Sequence, residues 1–431
     1  MTTEPYTQRL AKLPTTHYLD NRIYLDPDIF TEERRRIFEQ AWNFVCLASE
    51  APTPGDFRVV TVAGHSLLIV RGEDERLRAF YNICPHRAAP LVRQERGNGK
   101  AFQCFYHLWT FGLDGSLRGV TKPEGYEGTG FCKEDFGLVE VRVDTVAGLV
   151  FVCLSNETGA LRDYLGAELV ARMEETLGRV ELEAFHYHKA VVQTNWKLWN
   201  DNNSELYHNF LHPFNRKTTA EAMYTQSGHV LYPNGHALMV TTDPRARVQY
   251  GAGEVESREG GPAFPGLHGN DNWLANIFPD LLLLIRGTVL RIDRMAPLAP
   301  GQTLVEWRGV AIKGDSPEVR ALRVRHHNQI WGPLGRNLPE DICAVEAQWR
   351  QMNSRAVVGY SVYAREHEPL PDGRLQALDD GNMRAYYQTW GQWIGRSPQA
   401  PFGEVPAPPG REESRSTESA TRPVRQAASV G

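Results

Sequence analysis

Between about Phe44 and Ser155 the apolar positions fall in short β-rich runs, at residues 58–62, 66–71, 78–81 and 149–154, separated by Gly, Pro and charged turns. That spacing predicts a small all-β unit. Ahead of it, Phe30, Ile37, Phe38, Ala41 and Trp42 recur near a 3.6-residue period. Thr31 as cap, with Glu32 and Glu33 in the first turn, predicts a helix there, after an arm over residues 1–25. Beyond Asn156 the pattern mixes periods. Residues 161–177, 317–329, 341–352 and 383–393 read as helices, and 281–292 and 303–312 as strands. In the last strand Val305 and Trp307 alternate with Glu306 and Arg308. From Pro401 the chain is rich in Pro, Ser, Arg and Glu, which predicts a disordered tail. The expected division is an arm and helix (1–43), an all-β domain (44–155), an α+β domain (156–400) and the tail (401–431), with no internal repeat.

The chain of 431 residues, 41% hydrophobic and 23% charged, is long enough for two cores. Its 47 basic and 52 acidic side chains give a net charge of −5, which argues against a nucleic-acid partner. The longest apolar run, residues 146–154, is far short of the ~18–20 residues of a membrane span. The opening MTTEPYTQRL shows no secretory pattern, so a soluble cytoplasmic protein is expected.

Six cysteines in a chain of this length do not make a disulfide scaffold. Cys84 and Cys104 stand apart from the rest, because each has a histidine at close spacing: C-P-H at Cys84 and His86, C-F-Y-H at Cys104 and His107. Each loop offers one soft thiolate and one imidazole. Two such loops facing each other can hold a binuclear cluster, thiolates on one iron and imidazoles on the other, with a raised potential. A structural Cys₂His₂ zinc site is the alternative, but zinc fingers usually pair like with like. Tyr106, Trp109 and Phe111 are expected to shield the cluster.

A second constellation lies in N-D-N-N-S-E-L-Y-H-N-F-L-H. On a helix, Asp201, Glu205, His208 and His212 would share one face. Two carboxylates and two imidazoles where an apolar seam is usual point to a metal. Two histidines and one carboxylate form the facial triad of non-haem Fe(II) oxygenases, which leaves positions open for O₂.

The Cys-His loops, the N-I-C-P-H-R-A-A-P-L and H-L-W-T-F-G-L-D-G-S-L around them, and the second segment together resemble the large (alpha) subunit of Rieske aromatic-ring-hydroxylating oxygenases. The resemblance implies an α+β chain. It has an all-β Rieske [2Fe–2S] domain and a catalytic domain built as a helix-grip-like antiparallel sheet flanked by helices. It implies Cys84, His86, Cys104 and His107 on the cluster and His208 and His212 on Fe(II). Asp341, in W-G-P-L-G-R-N-L-P-E-D-I, matches the third ligand. Glu205 matches the acid that bridges to a neighbouring subunit's cluster, and Asn202 an asparagine close to the iron, one residue after Asp201. Two departures stand out. The bridging acid is Glu where Asp is common, and three residues rather than four or five separate the histidines. His229 and His236 remain alternatives to His212, and Glu340 to Asp341.

The same resemblance implies electrons from NAD(P)H delivered by a separate reductase, with or without a ferredoxin, since no G-x-G-x-x-G fingerprint is present. It also implies a homotrimer or a ring with a small beta subunit. G-F-C-K-E-D-F-G-L and R-A-Y-Y-Q-T-W-G-Q-W look most like the salicylate and terephthalate oxygenases, so an aromatic carboxylate is the expected substrate. Arg286, Arg291 and Arg294 are candidate cations for it, with Phe210, Leu211 and Ile285 as apolar liners. A Rieske monooxygenase of a quaternary ammonium compound or aryl ether is the alternative, and an iron–sulfur carrier without catalytic iron a third.

Overall fold

A computed structural model describes residues 13–218, 221–241, 262–268, 271–354 and 359–399. The tail from Pro401 and the first part of the arm lie outside the described residues. The rest of the arm is docked on the molecule. Tyr18–Asp20 pairs antiparallel with Tyr360–Val362, and Tyr24 is fully buried. The following helix, Pro27–Glu33, is capped by Asp26, whose carboxylate accepts from the Asp28 N–H, with Pro27 at the first position. Thr31 therefore lies inside the helix and is not its cap.

The β-rich region forms a seven-stranded antiparallel sheet. Its order is Asn43–Leu47, Leu149–Cys153, Glu140–Val146, Leu77–Tyr81, His65–Arg71, Asp56–Val62, Arg96–Asn98. A three-stranded sheet of Phe102–Gln103, Thr110–Phe111 and Leu117–Gly119 sits beside it. The second part of the chain forms an eight-stranded antiparallel sheet. Its order is Leu182–Val192, Gln302–Ile312, Val289–Ala299, Leu281–Arg286, Asn272–Ile277, Ala237–Thr241, Ser227–Leu231, Leu375–Gln376. Among the described residues, no helix is long and apolar enough to cross a membrane.

Two expected elements divide. The helix over 161–177 becomes Leu161–Leu165 and Ala167–Thr176, because Gly166 adopts φ +83° between them. The strand over 281–292 folds back as a hairpin of Leu281–Arg286 and Val289–Ala299, turning at Gly287 with φ +57°.

Alternation along these strands gives the large sheet two faces. Leu281, Leu283, Ile285, Leu290 and Ile292 enter the core shared with the first sheet. Leu282, Leu284, Met295, Val305 and Trp307 pack with Trp199, Trp331 and Leu338 on the other face. That second face carries the helix α1 (Trp196–Ser204), α2 (Pro317–Ile330) and α3 (Leu338–Asn353), and the candidate site lies there.

Candidate metal centres

The two Cys-His loops have matching backbones. Cys84 N–H donates to Ala89 O (2.8 Å) and Ala88 N–H to Cys84 O (2.9 Å). Cys104 N–H donates to Trp109 O (2.8 Å) and Leu108 N–H to Cys104 O (2.9 Å). Ala88 and Leu108 both take φ +58°, the left-handed region, in the same place of each loop. Both thiols are buried and unbridged. Burial, and then the neighbouring Cys104 thiol, push the Cys84 pKa up. The imidazoles stand at the outer edge: the His86 and His107 rings are 4.5 Å apart, and His86 Nδ1 is buried without a hydrogen-bond partner. Paired thiols below, paired imidazoles above and one orphaned ring nitrogen fit a [2Fe–2S] cluster with Cys₂ and His₂ ligation. Trp109 is buried and stacks on His86 (4.7 Å, 10°), and Phe111 is fully buried. Tyr106 differs from the expectation: its ring lies on His107 (3.7 Å), but it is exposed.

The second constellation is not one helix. α1 ends at Ser204, where Asn203 Nδ2 donates to Trp199 O (2.9 Å) and Ser204 Oγ to Asn200 O (2.7 Å). Both are back-bonds to carbonyls four residues earlier, and the helix stops where Glu205 turns extended, at φ −124° and ψ 160°. Glu205 is extended, and a 3₁₀ turn, Tyr207–Phe210, follows. Glu205 caps that turn, accepting from the His208 backbone N–H and from its Nδ1, both at 2.8 Å.

The turn still converges with α3. One ligand atom each from His208, His212 and Asp341 lies within 4.8 Å of the others. Asp341 Oδ1 is 3.2 Å from His212 Nε2 and 3.6 Å from His208 Nε2, buried and with no hydrogen-bond partner. Glu340 Oε2 accepts from His212 Nδ1 at 2.6 Å. Each imidazole thus gives Nδ1–H to a carboxylate and turns Nε2 toward Asp341, the tautomer a metal ligand needs. The orphaned carboxylate oxygen and the two facing Nε2 atoms fit a 2-His-1-carboxylate iron site. Burial alone would push the Asp341 carboxyl up, but His212, His208 and Arg291 outweigh it and hold the pKa below the ordinary range. Burial likewise opposes charge on His208, while Glu205 and Asp341 raise its pKa.

The triad opens on a narrow cleft whose walls include Asn203, Leu274, Leu284, Arg286, Arg291 and Trp331. Of the expected pocket residues, Arg286 and Arg291 are there. Phe210 and Leu211 are exposed, and Ile285 is buried in the core on the opposite face of the sheet, leaving Leu284 as the liner. Arg294 also points to the opposite face, donating to Phe44 O (2.8 Å) and Thr61 O. Period-two alternation could have separated these, since 284 and 286 share a side, as 285 and 286 cannot, and 291 and 294 oppose each other. Asp201 is not in the cleft lining: its Oδ2 accepts from Tyr24 (3.1 Å), Tyr363 (2.7 Å) and Tyr387 (2.7 Å). Asn203, rather than Asn202, faces the cleft, accepting from Arg291 at 2.7 Å. His236 is engaged elsewhere, its Nε2–H donating to Tyr164 O at 3.0 Å and its Nδ1 accepting from the Phe278 N–H at 3.1 Å, and His229 is buried on the far strands. Trp331 is a functional candidate that no spacing revealed, and Glu340, the alternative third ligand, instead partners His212.

This architecture, a β-rich cluster domain followed by an open antiparallel sheet with a triad on one face, defines a two-metal oxygenase. The Rieske [2Fe–2S] domain model matches residues 41–130. That of the ring hydroxylating alpha subunit (catalytic domain) matches residues 179–396. The chain is 42% identical to the 2-aminobenzenesulfonate 2,3-dioxygenase subunit alpha of Alcaligenes sp, over 89% of this chain and 95% of that one. It is 36% identical to the methanesulfonate monooxygenase hydroxylase subunit alpha of Methylosulfonomonas methylovora, over 92% and 96%. Among solved structures, naphthalene 1,2-dioxygenase from Rhodococcus sp. shares the fold with TM-score 0.76 at 23% identity, covering 88% of this chain and 94% of that one. The chain belongs to the ring-hydroxylating oxygenase alpha subunits. It is an oxidoreductase with a Rieske cluster and a mononuclear iron that uses O₂.

Proposed function

We propose that this chain is the terminal oxygenase component of a system that puts one or both atoms of O₂ into a small aromatic acid, a sulfonate ahead of a carboxylate. In this reading Cys84 and Cys104 hold one cluster iron, His86 and His107 the other, and His208, His212 and Asp341 hold Fe(II). Iron bound there supplies the place where O₂ meets the delivered electrons.

The observation that carries the substrate reading is the Arg286 guanidinium in the cleft wall. Arg286 and Arg291 both line it and lie over the Trp331 ring, at 5.4 and 5.2 Å. Arg291 is already paired, its Nε and Nη2 donating to Asp293 at 2.8 Å, so the cation that a sulfonate or carboxylate entering there meets is Arg286, and a flat ring meets Leu274, Leu284 and Trp331. The relatives named for 2-aminobenzenesulfonate and methanesulfonate support a sulfonate, and one named for terephthalate, at 27% identity, keeps a carboxylate in view. A quaternary ammonium substrate fits less well: the Arg286 guanidinium repels it, and the tryptophan that could cage it is covered by this protein's own arginines.

Electrons come from NAD(P)H through a separate cytoplasmic reductase, with or without a ferredoxin. Ile83, Phe105, Tyr106 and Leu108 form an exposed apolar collar beside His86 and His107. We read it as the seat of the next subunit, whose Glu205 would carry electrons on to its own His208 in a head-to-tail trimer, with or without a beta subunit.

Turnover of sulfonated, carboxylated, neutral and cationic substrates with a surrogate reductase under ¹⁸O₂ tests this. Labelled product is expected from the anionic arenes, and Arg286→Gln should raise KM for them by roughly tenfold, the loss of one charge-assisted bond of ~1.5 kcal/mol. Equal turnover of a neutral arene, or preference for a quaternary ammonium compound, would contradict the substrate reading.

A further inference from the structure

Behind the cleft, on the same sheet face, lies a group of histidines that the triad does not use. A bulge at Phe185 in the Leu182–Val192 edge strand sets His186 and His188 opposite Gly309 and Trp307. His186 Nε2 and His188 Nδ1 share a hydrogen bond of 2.9 Å. His188 stacks on Trp307 at 4.8 Å, and His327 from α2 approaches His186 at 5.1 Å. His327 is fully buried, and its ring lies so close to the backbone that a Cβ on Gly309 would come within 2.8 Å of it.

Four buried nitrogens in this group have no hydrogen-bond partner among the described residues: His188 Nε2, Trp307 Nε1, His327 Nδ1 and His327 Nε2. A neutral imidazole has one donor and one acceptor, and leaving both bare in the interior is costly. So many orphans in one place mark a site for ordered water. The group opens outward at half-buried His186 on the sheet's edge strand. On its inner side His327 approaches Trp331, a residue of the cleft wall, ring to ring at 6.4 Å. There Asn337 Oδ1 is a further buried atom without a partner.

We propose that His186, His188 and His327, joined by water, form a proton-supply route from the sheet edge to the rear of the iron cleft. This rests on the oxygenase reading. Whether both oxygen atoms enter the product or one leaves as water, each O₂ consumed takes two electrons and two protons. The electrons come from the cluster, and the protons must come from solvent. A proton taken up at His186 passes from its Nε2 to His188 Nδ1, and His188 releases its other proton from Nε2 to water. His327 repeats the exchange, taking a proton at one ring nitrogen and releasing one from the other toward the cleft.

The test has a readout independent of turnover. A high-resolution crystal structure of the protein should show ordered waters on the four orphaned nitrogens. A dry, closed space there would overturn the proposal. In the assembled enzyme, His327→Gln and His186→Ala should each lower coupled product formation about tenfold or more, within the range of general acid–base effects. Both should enlarge the solvent deuterium isotope effect, with O₂ released as peroxide instead. Imidazole in the buffer should restore His186→Ala. Variants with full iron content and unchanged rate, coupling and isotope effect would refute the route. If instead the unsubstituted protein bound iron but consumed no O₂ with any acid, the oxygenase reading itself would fail, and the water-filled route would have nothing to supply.

Discussion

His208 and His212 each spend one nitrogen on a carboxylate, Glu205 or Glu340, at 2.8 and 2.6 Å. These contacts fix ring orientation and tautomer, and such partners are typically worth 10–100-fold in metal affinity. Glu340→Gln should therefore weaken Fe(II) binding about 10–100-fold in a titration of the iron-free protein, while leaving cluster absorption unchanged. Unaltered affinity would make Glu340 a bystander. The cluster residues were legible because each Cys-His pair is local and its spacing is set by one loop. Glu340's partner lies 128 residues away, so nothing in the local text could distinguish its role from that of Asp341. The same holds for His188 and His327, which look like scattered histidines until the sheet and α2 bring them together.

α1 is where expectation and structure part most clearly. The i, i+4, i+7 spacing implied one polar face, yet the helix ends at Ser204, where Glu205 turns extended. The histidines then reach the centre from a capped turn. What looked like a metal-facing carboxylate, Asp201, instead joins α1 to the arm at Tyr24 and to Tyr387 of the C-terminal helix α4 (Gly381–Ile394). Burial pushes Asp201 up to about 6, against the three tyrosine hydroxyls and Lys197 that pull it down. A carboxyl raised in the fold binds more protons than in the unfolded chain between its ordinary value and about 6. Its contribution to stability is then full below the ordinary value and fades as pH rises through about 6. Asp201→Asn should flatten that segment of the curve of unfolding free energy against pH, read by denaturant titration, by an amount on the order of 1–3 kcal/mol. A slope identical in both proteins would remove Asp201 as its source. The helices over 161–177, 317–329, 341–352 and 383–393 and the strands 281–292 and 303–312 were legible apart from the breaks at Gly166 and Gly287, but five strands of the large sheet, Leu182–Val192, Ser227–Leu231, Ala237–Thr241, Asn272–Ile277 and Leu375–Gln376, were not.

At the scale of the molecule, a buried charge network joins the two large sheets. Arg294 reaches Glu306 (3.4 Å), Asp280 (3.8 Å) and the backbone of the first sheet, and Arg308 reaches Glu50 (2.7 Å) and Glu306 (3.5 Å). Removing Arg294 takes the cation away from buried Asp280, while Glu306 keeps Arg308. Arg294→Met should cost about 3–5 kcal/mol, read as a lower denaturant midpoint. A midpoint within error of the unsubstituted protein would show that the sheets are held by apolar packing alone. This contact was invisible in the sequence, where Arg294 looked like a substrate ligand, because only the sheet's two-sidedness turns it away from the cleft. The two metal centres themselves were visible from the start, as chemistry that needs particular side chains at particular spacings. The most direct test of them is iron and acid-labile sulfide analysis of the reconstituted protein and of Asp341→Ala. The account predicts about three irons and two sulfides per chain, falling to about two irons in the variant with the visible cluster spectrum intact. Only two irons in the unsubstituted protein, or a third iron that survives in Asp341→Ala, would contradict it.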